Sequence, residues 1–256
     1  MTLFAAASTA GVMAREIAAF ERVHPETHVA GDYEGTQSLL TKLQADPTVA
    51  DVFLSADRGH MTQAVDRMLV VNPRDVAGNR LIVALPPGNP AHITALSDLG
   101  RSGVHIVLAD KSVPAGAYAE QALHAAESNG DGPHGFAAAA LANVVSRETD
   151  VEAVVAKVAT GVADAGIVYA TDAVADHRIT ALAIPAPDQP ATVYPIAVTT
   201  HARNTAGAHD FVAFLLSTAG QKILRDAGFT NPPQPPQPTQ GSVPPAGAGA
   251  SASPTP

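Results

Sequence analysis

The sequence predicts an α/β protein with mostly parallel sheets. Short apolar runs alternate with amphipathic stretches, the pattern of strands joined by crossover helices. The chain has 256 residues, 46% of them hydrophobic, which is ample for a sizeable core without disulfides or a structural metal. Aromatics make up only 4% and Trp is absent, so alanine and β-branched residues must supply most of the packing.

Residues 2–7 read as a buried strand that feeds a helix over 9–22. Strands at 29–33 and 51–55 flank a helix over 37–45, and a further helix covers 59–67. Apolar runs at 80–85 and 105–109 are the next strands, followed by a helix over 117–126. The helix over 151–160 has the clearest pattern, because Val151, Val154, Val155 and Val158 share one face. Strands at 165–169, 179–184 and 192–198 and a helix over 208–216 complete the alternation. No internal repeat is visible.

From Asn231 to the end there is no charge and no aromatic, and nine of the 21 prolines fall in those residues. That composition buries too little apolar surface to offset its ordering entropy, so residues 231–256 read as a disordered tail. At the other end, Met1 runs into Thr2-Leu3-Phe4 with no basic leader and no secretory apolar region. Three explanations stand: a leader was removed, the start lies upstream, or the protein is cytoplasmic.

Composition excludes several classes. A net charge of −9 leaves no cationic excess to displace phosphate counterions, which argues against nucleic acid as a partner. Zero Cys removes thiol catalysis and Cys-ligated zinc or iron–sulfur sites. His24 and His28 sit four apart, but Pro25 between them breaks a continuous helical face, and no cation site is expected. No apolar run approaches the roughly 18 residues of a membrane span. A G-x-S-x-G elbow, a phosphate loop, an H-E-x-x-H motif and a dinucleotide glycine fingerprint are all missing, so an enzyme is not expected.

A different device recurs. Several strands end in a small or hydroxyl residue that opens a helix, at Ala7-Ser8-Thr9, Gly35-Thr36-Gln37, Pro114-Ala115-Gly116 and Thr149-Asp150-Val151. Helix starts carry unpaired N–H groups and the positive end of the dipole. Aimed at one cleft, several would hold an anion without Lys or Arg. Each position also has a plainer role. Ser8 and Thr36 are good helix caps, and Ala115 follows Pro114 into a turn. Val151 is a core residue, and Tyr169 a half-buried packing residue.

Phe4-Ala5-Ala6-Ala7-Ser8, followed by a helix closing in Ala19-Phe20-Glu21, resembles the start of the molybdate-binding proteins of ABC importers. The likeness continues through Ala50-Asp51-Val52-Phe53-Leu54-Ser55-Ala56-Asp57 and Asn79-Arg80-Leu81-Ile82-Val83-Ala84. Val113-Pro114-Ala115-Gly116-Ala117-Tyr118-Ala119, Ala165-Gly166-Ile167-Val168-Tyr169 and Val193-Tyr194-Pro195-Ile196-Ala197-Val198 follow in order. It ends near Leu215-Leu216-Ser217 and Ala227-Gly228-Phe229, so it spans about residues 2–229.

The resemblance implies a two-lobed periplasmic-binding-protein fold of type II, with crossovers near residues 77–85 and 189–197. Residues 1–80 and 195–230 would form the first lobe and 81–194 the second. It further implies a tetrahedral oxyanion held by the hydroxyls and N–H groups of Ser8 and Thr36, the N–H groups of Ala115 and Val151, and the Tyr169 hydroxyl. Four of these five are the helix starts already picked out. The ligand implied is molybdate, and also tungstate, with no cofactor. The partners implied are a membrane permease and its cytoplasmic ATPase, served by a periplasmic or lipid-anchored monomer. Two departures from the family pattern stand out. Gly35-Thr36-Gln37 replaces the usual Ser-Ser, and Glu34 stands where a small neutral residue is usual. Other readings stay open: a receptor for sulfate, phosphate or a thiosulfate-like anion, a cytosolic oxyanion sensor, or an enzyme with Ser8 as nucleophile. The last lacks an assignable base.

Overall fold

A computed structural model describes residues 1–232. The segment read as a disordered tail therefore lies outside the described residues, apart from Asn231 and Pro232.

Two five-stranded sheets organise the described residues. The first contains β1 (Thr2–Ala6), β2 (Ala30–Glu34), β3 (Val52–Leu54), β4 (Val70–Asn79) and β10 (Thr192–Thr199), in the order β2-β1-β3-β10-β4. The second contains β5 (Leu81–Leu85), β6 (Ile106–Ala109), β7 (Val144–Glu148), β8 (Ala165–Tyr169) and β9 (Thr180–Ala183), in the order β7-β6-β8-β5-β9. The chain leaves the first sheet after Asn79 and returns to it at Thr192. The sheets are not mostly parallel, as the sequence pattern suggests, but evenly mixed. Within each, a parallel trio is extended by antiparallel strands at the crossovers.

Strand period decides how the first sheet is covered. Leu3, Ala5, Val52 and Leu54 pack in the main core, while Phe4 and Phe53 turn to the other face. There they meet Leu39, Leu40 and Leu43 of α2 (Thr36–Ala45) and Met61 of α3 (Arg58–Asp66). The first face is closed by α1 (Ala10–Val23) and α8 (Thr205–Leu216), where the Phe20 and Phe211 rings meet edge to face at 5.2 Å. In the second sheet, Val151, Val154, Val155 and Val158 of α6 (Val151–Ala159) are all buried, as their spacing predicts. Also on this sheet, α4 (Pro114–Asn129) starts three residues earlier than expected, with Pro114 supplying a preset φ in its first turn.

Five elements escape the sequence pattern. Strands β4 and β7 lie at sheet edges. An edge tolerates Pro73 and the left-handed Asn72 in β4, and it leaves β7 only part-buried with charged side chains. The other three are α5 (Phe136–Ala142), α7 (Ala170–Ala175) and α9 (Thr218–Asp226), the first two too short to show a period. Among the described residues no helix is long and apolar enough to cross a membrane.

Candidate functional site

Each parallel trio directs the carboxyl ends of its strands to one sheet edge, where α/β proteins place ligands. From those ends the chain turns directly into helices. After β1 come a short 3-10 turn (Ala7–Thr9) and α1; β2 leads through Gly35 into α2, β6 into α4, and β7 through Asp150 into α6. The turns from both sheets meet around one narrow cavity. Ser8, Thr36, Ala115, Val151 and Tyr169 all line it, together with Gly35, Ala56, Pro114 and Asp150. No Lys or Arg does so.

The plainer capping roles of Ser8 and Thr36 do not hold in this geometry. Thr36 is the first residue of α2, Gly35 occupies the cap position, and no side chain caps that end. The Thr36 hydroxyl instead accepts from the Ala56 N–H at 3.1 Å, which leaves its own proton to donate. α4 and the 3-10 turn likewise have no side-chain cap, whereas the Asp150 carboxylate caps α6 through the Ala153 N–H at 2.8 Å. The first N–H groups of these helices have no carbonyl of their own helix to bond.

A directed hydrogen-bond chain positions Ser8. The Asn79 amide donates to Thr171 Oγ1 at 2.8 Å and to the Tyr194 hydroxyl at 3.3 Å. Ser8 and Tyr194 hydroxyls are 3.1 Å apart. Tyr194 accepts from Asn79, so its own proton is free to be donated to Ser8, and in that arrangement the Ser8 proton faces the cavity. Tyr169 differs from all of these. Its ring is 1% exposed, and its buried hydroxyl has no hydrogen-bond partner among the described residues. Burial pushes both phenols well above the usual tyrosine range, Tyr169 furthered by its neighbour Tyr194, so both stay protonated donors.

Glu34 turns away from the cavity. Its carboxylate pairs with Lys42 Nζ at 2.7 Å, and Asp32 pairs with the same ammonium at 2.9 Å. The sequence and its family resemblance marked out five of the lining residues but assigned no role to Tyr194, Asn79 or Gln37. Tyr194 stood in an apolar strand run, and nothing local shows that a residue so far along the chain meets Ser8. Among the described residues, no three His, Asp or Glu side chains gather as metal ligands.

The family model described as bacterial extracellular solute-binding protein matches residues 1–230. Molybdate-binding protein ModA of Mycobacterium tuberculosis (strain ATCC 25618 / H37Rv) is 33% identical over 234 residues, covering 91% of this chain and 85% of the relative. The periplasmic molybdate-binding protein of Azotobacter vinelandii superposes with a TM-score of 0.76 at 17% identity, over 91% of this chain and 100% of that one. The sulfate-binding protein SubI of Mycobacterium tuberculosis H37Rv gives 0.79 at 21% identity, over 90% and 85%. At these identities the two structures show the shared fold alone.

Proposed function

The chain belongs to the bacterial extracellular solute-binding protein family, and from that premise we propose that it captures molybdate and delivers it to an ABC permease. It is a binding protein, as its relatives are, and no bond is made or broken. Residues 1–80 and 195–230 form one lobe and 81–194 the other, except that Thr192–Tyr194 already pair in the first sheet, and the lobes close on the anion by hinging at the two crossovers. Capture takes place outside the cytoplasm, by a monomer in a periplasm or tethered to the surface by lipid. The receiving permease is driven by a cytoplasmic ATPase.

The observation that carries this reading is the convergence of three hydroxyls and four helix starts on one cavity without a cation in its walls. An α-helix start presents about half a positive charge, so the starts of α2, α4 and α6 favour an anion, against the opposing Asp150 carboxylate that caps α6. The anion also supplies the acceptor that the buried Tyr169 hydroxyl lacks. Ser8 and Thr36 donate through hydroxyl and N–H, Ala115 and Val151 through N–H, and Tyr169 through its phenol. Tungstate, of the same charge and shape, occupies the same place. Sulfate shares both properties, so it is discriminated by size against rigid walls such as Val151 and Ala115.

Calorimetric titration with molybdate, tungstate, sulfate and phosphate tests this. One-to-one binding of the first two is expected, and ligand at a thousandfold its dissociation constant should add about 4 kcal/mol to apparent stability. No melting shift with either at millimolar concentration, in folded ligand-free protein, refutes the molybdate reading. Tighter binding of sulfate or phosphate moves the function to that anion.

A further inference from the structure

The geometry points to Gly35, Gln37 and Thr149 as a closure latch, by which the first sheet's side of the cleft locks onto the second's only when the two are brought together. This rests on the anion-capture reading above and extends it to residues that do not touch the anion through their side chains.

Gln37, at the start of α2, donates from Nε2 to the Thr149 carbonyl at 2.9 Å. Thr149 lies between β7 and α6, so the bond joins elements of the two sheets. The amide is held in this sense because its oxygen would repel the Thr149 carbonyl. Its Oε1 is then buried without a partner. A polar atom left so is costly unless the same side chain gains elsewhere. In an open cleft both ends of this amide would be hydrated, so the bond to Thr149 belongs to the closed arrangement.

Gly35 supplies an independent observation. Its φ of −56° and ψ of 136° are open to any residue, so backbone conformation does not call for glycine. It also occupies the cap position of α2, where Ser, Thr, Asp or Asn would satisfy a free N–H. The reason for glycine lies across the cleft. A Cβ built on Gly35 would stand 2.7 Å from the Thr149 carbonyl oxygen and 2.5 Å from Gln37 Nε2. The Gln37 side chain could swing aside, but the Thr149 carbonyl is backbone. A methyl at position 35 therefore obstructs closure, whereas within its own lobe the nearest atoms it meets belong to the movable Gln37 side chain.

The test compares the full-length wild type with Gly35→Ala, Gln37→Ala and the double variant. Melting without ligand, molybdate titration, and small-angle scattering with and without molybdate are measured for each. All variants should melt within about 2 °C of wild type when ligand-free. Gly35→Ala should weaken molybdate binding about tenfold or more and abolish the ligand-induced contraction seen in wild type. Gln37→Ala should weaken binding about three- to tenfold, through faster dissociation. The double variant should bind no better than Gly35→Ala, because the methyl meets the Thr149 carbonyl even without the Gln37 side chain. Gly35→Ala binding within twofold of wild type overturns the latch, as does a ligand-free melting loss large enough to show that glycine serves its own lobe. A double variant equal to Gln37→Ala alone overturns the steric role of Gly35. A wild type that binds none of the oxyanions removes the capture reading itself, an outcome distinct from all of these.

Discussion

The hydroxyls of Ser8 and Tyr194 lie 3.1 Å apart although 186 positions separate them in the chain. The contact joins the turn after β1 to the strand that returns from the second sheet, and Asn79 holds its far side from the outgoing crossover. Ser8 is thus oriented by the crossovers themselves rather than by a helix it caps.

Ser8→Ala should therefore cost little stability, about 0.5–1.5 kcal/mol for one hydrogen bond. Molybdate affinity should fall about ten- to a hundredfold, because the bond lost is to a charged acceptor. Ser8→Asp places a carboxylate against a dianion at low dielectric and should abolish binding in a protein that still folds. A Ser8→Asp protein that binds molybdate within about threefold of wild type removes Ser8 from the site.

Tyr169→Phe separates stability from affinity. Removing a buried hydroxyl that has no partner should leave the ligand-free protein as stable as wild type or more so. Binding should weaken about tenfold or more. A variant that is both less stable and unchanged in affinity would show that Tyr169 is only a packing residue.

Asp150 lines the cavity as an anion, yet its carboxylate caps α6. Asn is as good a cap, so Asp150→Asn should keep the melting temperature and tighten dianion binding about threefold, by removing a like charge. The gain should shrink as salt rises. Asp150→Ala should instead cost about 1 kcal/mol of stability. Equal affinities of the Asp150→Asn and wild-type proteins at low salt would refute the repulsion.

Glu16 makes stability depend on pH. It is wholly buried in α1, neither carboxylate oxygen has a partner, and burial pushes it up to about 8 against a smaller opposing pull from Arg15. Burial likewise lifts Asp172 to about 7; the Tyr169 N–H opposes the rise, and Glu152 adds to it. Both groups hold their protons more tightly in the folded chain. Their contribution is complete below the ordinary carboxyl range and is lost as pH rises through about 7 and 8. Melting temperature should therefore fall from about pH 5.5 to pH 8.5. Glu16→Gln should flatten that slope and melt higher than wild type at the alkaline end. Parallel curves for the two proteins would show that Glu16 does not titrate in this range.

The fold class was legible because its signals are local. The valines of α6 repeat on one face, and the run from Leu3 to Ala6 ends in a turn that opens a helix. Four of the five proposed anion contacts sit where a strand stops and a helix starts, which is a local signal, but it took the resemblance to the molybdate-binding proteins to single them out and to add Tyr169. Edge strands β4 and β7 were not legible, since a strand with one neighbour needs no continuous apolar run and can hold Pro73 or charged residues.

The sequence by itself determined most of the secondary elements, the scarcity of cations, and where strands give way to helix starts. Only the tertiary structure decided which partners those starts meet. A hydroxyl at a helix start can cap that helix or serve a cavity, and residue type is the same in both cases. The choice for Ser8 and Thr36 came from Tyr194 and the Ala56 N–H, brought to them by the crossover strand and by β3. The need for glycine at position 35 came from a carbonyl on the opposite side of the cleft. These contacts depend on how two sheets are brought together, and no interval of the chain is short enough to record that.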